Sequence, residues 1–143
     1  MTDAKFLDFN KKFNVDDYLI SKSAHWRLSL RPHQPTLGSC VLSLGRYCRT
    51  FAEMTSDESR DLKEIISFTE KHLKAAFDYD KINYIMMMMV DPHVHFHVIP
   101  RYNKAIEFSG ESWTDESWPT PTTLGGTALS ESMASALITK IKG

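Results

Sequence analysis

Cysteine is scarce: the 143 residues carry two, Cys40 and Cys48. Their spacing fits neither a zinc ribbon nor a redox pair, so they read as reduced thiols that pack. Nor is there an excess of charge of one sign. Seventeen Lys and Arg against eighteen Asp and Glu leave a formal charge of −1, and no bulk positive field draws nucleic acid or anionic lipid. Long apolar runs are missing too. The longest uncharged one, residues 84–90, falls far short of the roughly 20 residues of a membrane helix. Residues 1–14 mix Asp3, Lys5, Asp8, Lys11 and Lys12 with Phe6, Leu7, Phe9 and Phe13, which is not the continuous apolar stretch of a signal peptide. These absences predict a soluble, cytoplasmic protein with neither nucleic acid nor membrane as partner. Internal repeats are absent, and the length suits one domain, residues 1–143, able to bury a core without staples.

What is present organises itself by period. Over residues 23–30, Ala24, Trp26, Leu28 and Leu30 alternate with Ser23, His25, Arg27 and Ser29, the period of a half-buried strand. Two prolines and Gly38 then turn the chain, and the apolar residues 39–44 predict an antiparallel partner. Thr55-Ser56-Asp57-Glu58 is a capping-box pattern. Behind it, Leu62, Ile65, Ile66, Thr69, Leu73, Ala76 and Phe77 recur at helical spacing, which predicts a helix over residues 56–77. Residues 82–90 read as a central strand, Asp91-Pro92 as a turn, and residues 93–99 as a further strand closed by Pro100. Residues 109–126, with Trp113 and Trp118 among glycines, prolines and hydroxyls, read as an irregular segment on the surface of the core. Leu129, Met133, Ala136, Leu137 and Ile141 mark a final helix. The expected class is α+β: an antiparallel sheet of about five strands packed with one long helix and a C-terminal helix.

Three of the six histidines fall within His93-Val94-His95-Phe96-His97. On a strand they share one face while Val94, Phe96 and Val98 point to the other. A row of imidazoles adds no packing that valine would not, so its presence points to chemistry. For metal binding, about 3.3 Å per residue puts the Cα atoms of His93 and His97 roughly 13 Å apart. A zinc ion wants ligand nitrogens at about 2.1 Å. Further ligands would have to come from His25, His33 or His72, none of which sits in a ligand-like motif, so no metal is assigned. Nucleophilic attack on phosphorus fits better. Neutral imidazole attacks without a strong base, and neighbouring histidines can hold phosphoryl oxygens and assist the leaving group.

His-Val-His-Phe-His-Val-Ile, followed by Pro100-Arg101, resembles the His-φ-His-φ-His-φ-φ signature of the histidine triad (HIT) superfamily. The order of early strands, capped helix, asparagine-bearing strand and triad strand is similar as well, over about residues 26–102. The resemblance implies a HIT-like fold and a nucleotide hydrolase or transferase acting at an α-phosphorus, without a cofactor. It implies dinucleoside polyphosphates or nucleoside phosphoramidates as substrates, a nucleotidyl-histidine intermediate on His95, and a homodimer. Carried over by position, His93 and His97 contact phosphate and assist the leaving group, and Asn83 helps bind ribose or phosphate. The chain departs from the family where glycines and a small polar residue are common. Residues 84–92 are instead Tyr, Ile, four Met, Val, Asp and Pro, which places the Asp91 carboxylate near the expected phosphate. That departure motivates the alternative of a catalytically weak nucleotide-binding module. The methionines read as core filling, and Arg46 and Arg101 as either phosphate contacts or solvated charges.

Overall fold

The computed structural model describes residues 3–143. The chain opens with helix α1 (Ala4–Lys12) and strands β1 (Leu19–Lys22), β2 (Trp26–Leu30), β3 (His33–Gln34) and β4 (Cys40–Leu44). A 3-10 turn at Phe51–Glu53 leads into α2 (Ser56–Phe77), β5 (Lys81–Ile85) and β6 (His95–Arg101). Short strands β7 (Ile106–Phe108), β8 (Glu111–Trp113) and β9 (Thr127–Ala128) precede α3 (Glu131–Lys142). The main sheet is five-stranded and antiparallel, in the order β1-β2-β4-β6-β5. Among the described residues no helix is long and apolar enough to cross a membrane.

The α+β architecture and the long helix are as the sequence predicts. Thr55 Oγ1 accepts from the Glu58 amide at 3.1 Å, and Glu58 Oε1 accepts from the Thr55 amide at 2.8 Å. Both bonds satisfy donors that a helix start otherwise leaves unpaired. Asp78, in the left-handed region, ends the helix. Trp26, Leu28 and Leu30 of β2, with Cys40, Leu42 and Leu44 of β4, form one buried face of the sheet against Ile65, Leu73 and Phe77 of α2 and Leu137 and Ile141 of α3.

Several expectations need correction. Helix α1 and strand β1 were not foreseen, and β2 starts at Trp26 rather than residue 23. The strand expected over residues 82–90 stops at Ile85. Met88 takes φ +54°, which turns the chain away from the sheet. Met86 and Met88 still pack against the core, but Met89 and Val90 are 80% and 83% exposed, so this stretch is not uniform core filling. His93 lies just before β6 instead of within it, and Pro100 does not close the strand. Pairing with β4 ends at Cys40↔Val98, so no β4 carbonyl awaits the amide hydrogen that proline lacks. On that side the Thr36 hydroxyl donates to the Pro100 carbonyl at 2.5 Å.

The segment after Tyr102 is less irregular than expected. β7 and β8 form a hairpin whose turn residues, Ser109 and Gly110, both have positive φ, as two-residue hairpin turns prefer. β9 pairs with β3, and a Cβ on Gly126 would lie 2.3 Å from the Gln34 carbonyl. Only glycine permits that approach.

Candidate functional site

The second face of the sheet carries the histidines. Its cross-strand rows run Arg27–Ser43–His95 and Ser29–Val41–His97, and the second continues to Ile85 on β5. Two members of the row predicted from alternation, His95 and His97, therefore share this face, with their ring centroids 5.0 Å apart, while His93 precedes the strand.

Each ring has its proton placed by a neighbour. A carbonyl only accepts and a backbone amide only donates, which fixes the tautomers. His93 Nε2 donates to the Leu44 carbonyl at 2.8 Å, and its Nδ1 accepts from the Cys48 amide at 3.2 Å. Both nitrogens are thus spent on backbone at the end of β4 and in the loop that follows it. His95 Nδ1 donates to the His93 carbonyl at 2.6 Å, which leaves the Nε2 lone pair unprotonated. His97 Nδ1 accepts from Arg31 Nε at 3.3 Å, so its proton sits on Nε2.

The rings are sealed. His93, His95 and His97 are 1%, 2% and 6% exposed. Phe9 of α1 lies edge-on to His93 and His95, with centroids 4.9 Å away in each case, while Phe13 covers His95 and His97 at 6.0 and 5.8 Å. Phe6 and Tyr47 enclose His93. Burial is the main cause that holds all three rings neutral, pushing His93 down to about 4 and His97 to about 3 and lowering His95 as well. Arg27 adds to the effect at His93, and His95 and Arg31 at His97.

Phe9, Phe13, Val15 and Val41 form a small apolar cluster separate from the main core. Lys12 ties the end of α1 to Asp91 at 2.8 Å, so the Asp91 carboxylate is neutralised by a cation beside the triad. A cleft of about 640 Å³ opens between α1 and this loop, walled by Phe9, Lys12, Met89, Asp91 and His93.

Asn83 shares the triad face, opposite Ile99 and two pairs beyond His97. Its Oδ1 accepts from Arg101 Nη1 at 2.9 Å, and it lines a separate cleft of about 750 Å³ with Trp118 and Pro119. The other cations weighed from the sequence have structural partners. Arg101, itself buried, donates to Asp115 at 2.7 Å, and Arg46 pairs with Glu58 at 2.7 Å.

Arg27 and Arg31 were missed by sequence reasoning. Arg27 donates to Asn10 and Ser43, and its buried Nε has no partner. Arg31 donates to His97 and to the His33 and Gly125 carbonyls. No carboxylate appears among these partners, and burial lowers the pKa of both guanidiniums. Arg31, desolvated and without a carboxylate acting on it, suits an incoming anion beside the neutral imidazoles, whereas Asp16 partly offsets the burial of Arg27. A signal for Arg27 existed, since it alternates out of the Trp26–Leu28–Leu30 face. The spacing of Phe6, Phe9 and Phe13 likewise marks a helical stripe.

Comparison with known proteins places the fold. No family model matches the chain, and no curated protein matches it. Solved structures do. A histidine triad (HIT) protein of Sinorhizobium meliloti 1021 matches with TM-score 0.70 and 20% identity, covering 90% of each chain. A histidine triad protein of Marinobacter aquaeolei VT8 matches with TM-score 0.70 and 18% identity, again over 90% of each chain. A hypothetical histidine triad nucleotide-binding protein of Sulfolobus tokodaii strain 7 matches with TM-score 0.69 and 14% identity, over 87% of this chain and 80% of that one. The chain has the fold of histidine triad proteins.

Proposed function

We propose that this protein binds a nucleotide and cleaves it at the α-phosphorus through a nucleotidyl-histidine intermediate on His95. One observation carries the reading: His95 Nδ1 is committed to the His93 carbonyl, so Nε2 keeps its lone pair. In the first step Nε2 bonds to phosphorus and the bond to the leaving group breaks, its electron pair departing with the leaving phosphate oxygen or with the leaving nitrogen, which takes up a proton from solvent and departs as a neutral amine. The ring then carries a positive charge, which the His93 carbonyl stabilises through Nδ1–H. Water next attacks phosphorus and loses a proton to solvent, while the N–P pair returns to Nε2. Within this reading His97 donates from Nε2–H to a phosphoryl oxygen, His93 fixes the backbone beneath the nucleophile, and Asn83 contacts the far end of the substrate. The substrates are nucleoside phosphoramidates or dinucleoside polyphosphates, and the protein acts as a cytoplasmic homodimer.

Access has a structural condition. With His95 beneath Phe9 and Phe13, substrate reaches the ring only after α1 shifts, and the cleft between α1 and Asp91 is where the opening begins. The same closure favours a second reading, a nucleotide-binding module without turnover. Incubation with adenosine 5′-phosphoramidate and diadenosine tetraphosphate decides between them. Turnover that His95→Asn lowers by at least about a thousandfold supports the nucleophile. AMP binding by calorimetry with no turnover supports the module, and equal activity in His95→Asn overturns the proposed mechanism.

A further inference from the structure

Arg31 stands just beyond β2, 8% exposed, in a turn tied down from both sides. Its amide donates to the Ser39 carbonyl at 3.0 Å, and Gln34 Nε2 donates to the Arg31 carbonyl at 2.7 Å. The guanidinium has three anchored contacts: Nη1 on the His33 and Gly125 carbonyls at 2.6 and 3.0 Å, and Nε on His97 Nδ1 at 3.3 Å. A guanidinium carries donors only and does not titrate in the working range of a protein. Whatever lies against its Nε must therefore accept.

We propose that Arg31 is a positioning residue for the triad, holding His97 as the neutral tautomer protonated at Nε2 and linking that ring to the tail segment at Gly125. The proposal rests on the reading of His95 as nucleophile, because the use of the His97 proton is to meet a phosphoryl oxygen beside it. With the proton on Nδ1 instead, the Nε2 lone pair would face that oxygen and repel it. Without the guanidinium, nothing in the described contacts assigns the proton to either nitrogen.

The charged and titratable groups acting on His97 are few. His95 lies on its own strand, Arg31 faces it from the β2 end, and Asp91 and Lys12 act from the loop and from α1. Its cross-strand neighbours Val41 and Ile85 are apolar, as is Phe13 above it. Among these groups Arg31 alone hydrogen-bonds to the ring. The guanidinium also explains how the segment after Tyr102 reaches the site, since the Gly125 carbonyl and the β3–β9 pair fix where Nη1 can sit.

The test is a long-range ¹H–¹⁵N spectrum of the full chain with ¹⁵N-labelled histidine, the His97 signals assigned by their loss in His97→Gln. In the wild type, His97 is expected neutral and protonated at Nε2 from pH 7 to pH 5. In Arg31→Met the ring is expected to populate both tautomers while burial, the larger cause, still keeps it neutral over that range. Its kcat on adenosine 5′-phosphoramidate should fall about 10- to 100-fold, the usual loss when a group orienting a reactive ring is removed. Arg31→Lys, which keeps one charged donor, should restore the tautomer in part. A wild-type His97 protonated at Nδ1 overturns the proposal without any variant. An unchanged tautomer in Arg31→Met overturns it as well. A wild type with the expected tautomer but no turnover upholds the Arg31–His97 assignment and overturns the catalytic reading of His95.

Discussion

Acidification from pH 7 to pH 5 should strip stability from this protein through the histidines under α1. His93 and His97 have folded-state pKa values of about 4 and about 3 against an ordinary 6.5, with burial as the first cause. In this window the unfolded chain takes up protons on both rings and the folded chain does not. Their stabilisation is complete above pH 6.5 and is lost as the pH falls toward the folded values. Linkage gives about 2 kcal/mol lost per ring between pH 7 and pH 5. That is a large share of a typical 5–15 kcal/mol. His95 is shifted in the same direction and adds to the loss. The window also separates the histidines from Glu58, whose carboxyl Arg46 holds at about 2, so that its contribution fades only below the ordinary carboxylate range. Urea unfolding at pH 7, 6 and 5 measures the effect as a falling midpoint at constant slope, and His97→Gln should reduce the loss by about one ring's share. Equal stability at pH 7 and pH 5 would refute the reasoning, because it would mean that the rings reach water in the native state.

Two more outcomes follow from packing. Phe9→Ala removes the ring 4.9 Å from both His93 and His95, a deletion worth about 3–5 kcal/mol in a main core. Because Phe9 belongs to the separate cluster under α1, the expected result is local opening: faster modification of His95 by diethyl pyrocarbonate, and a urea midpoint lowered by less than the core figure implies. An unchanged modification rate counts against α1 as the cover. Asp115→Ala leaves buried Arg101 without its carboxylate, which should cost about 3–5 kcal/mol in thermal or chemical unfolding. A loss under about 1 kcal/mol would show the pair to be solvated.

Local rules made much of this protein readable as a string of residues. The capping box at Thr55 and Glu58, the helix behind it and the alternation of β2 involve neighbours a few positions apart, and period two alone put His95 and His97 on one face. The cover over that face was not readable so. Phe9 and Phe13 meet histidines more than eighty positions away, Arg31 meets His97 across 66, and Arg101 finds Asp115 only because the tail folds back. The methionine run shows the reverse case, where apolar composition suggested burial but the backbone turn at Met88 brought half of it to the surface. Sequence by itself determined the α+β class, the capped helix α2, the pairing-ready strands β2 and β4, and the shared face of His95 and His97, since those follow from short-range backbone geometry and side-chain identity. Tertiary structure decided which nitrogen of each ring carries a proton and whether the row meets water, because both depend on which distant groups desolvate the rings and hydrogen-bond to them.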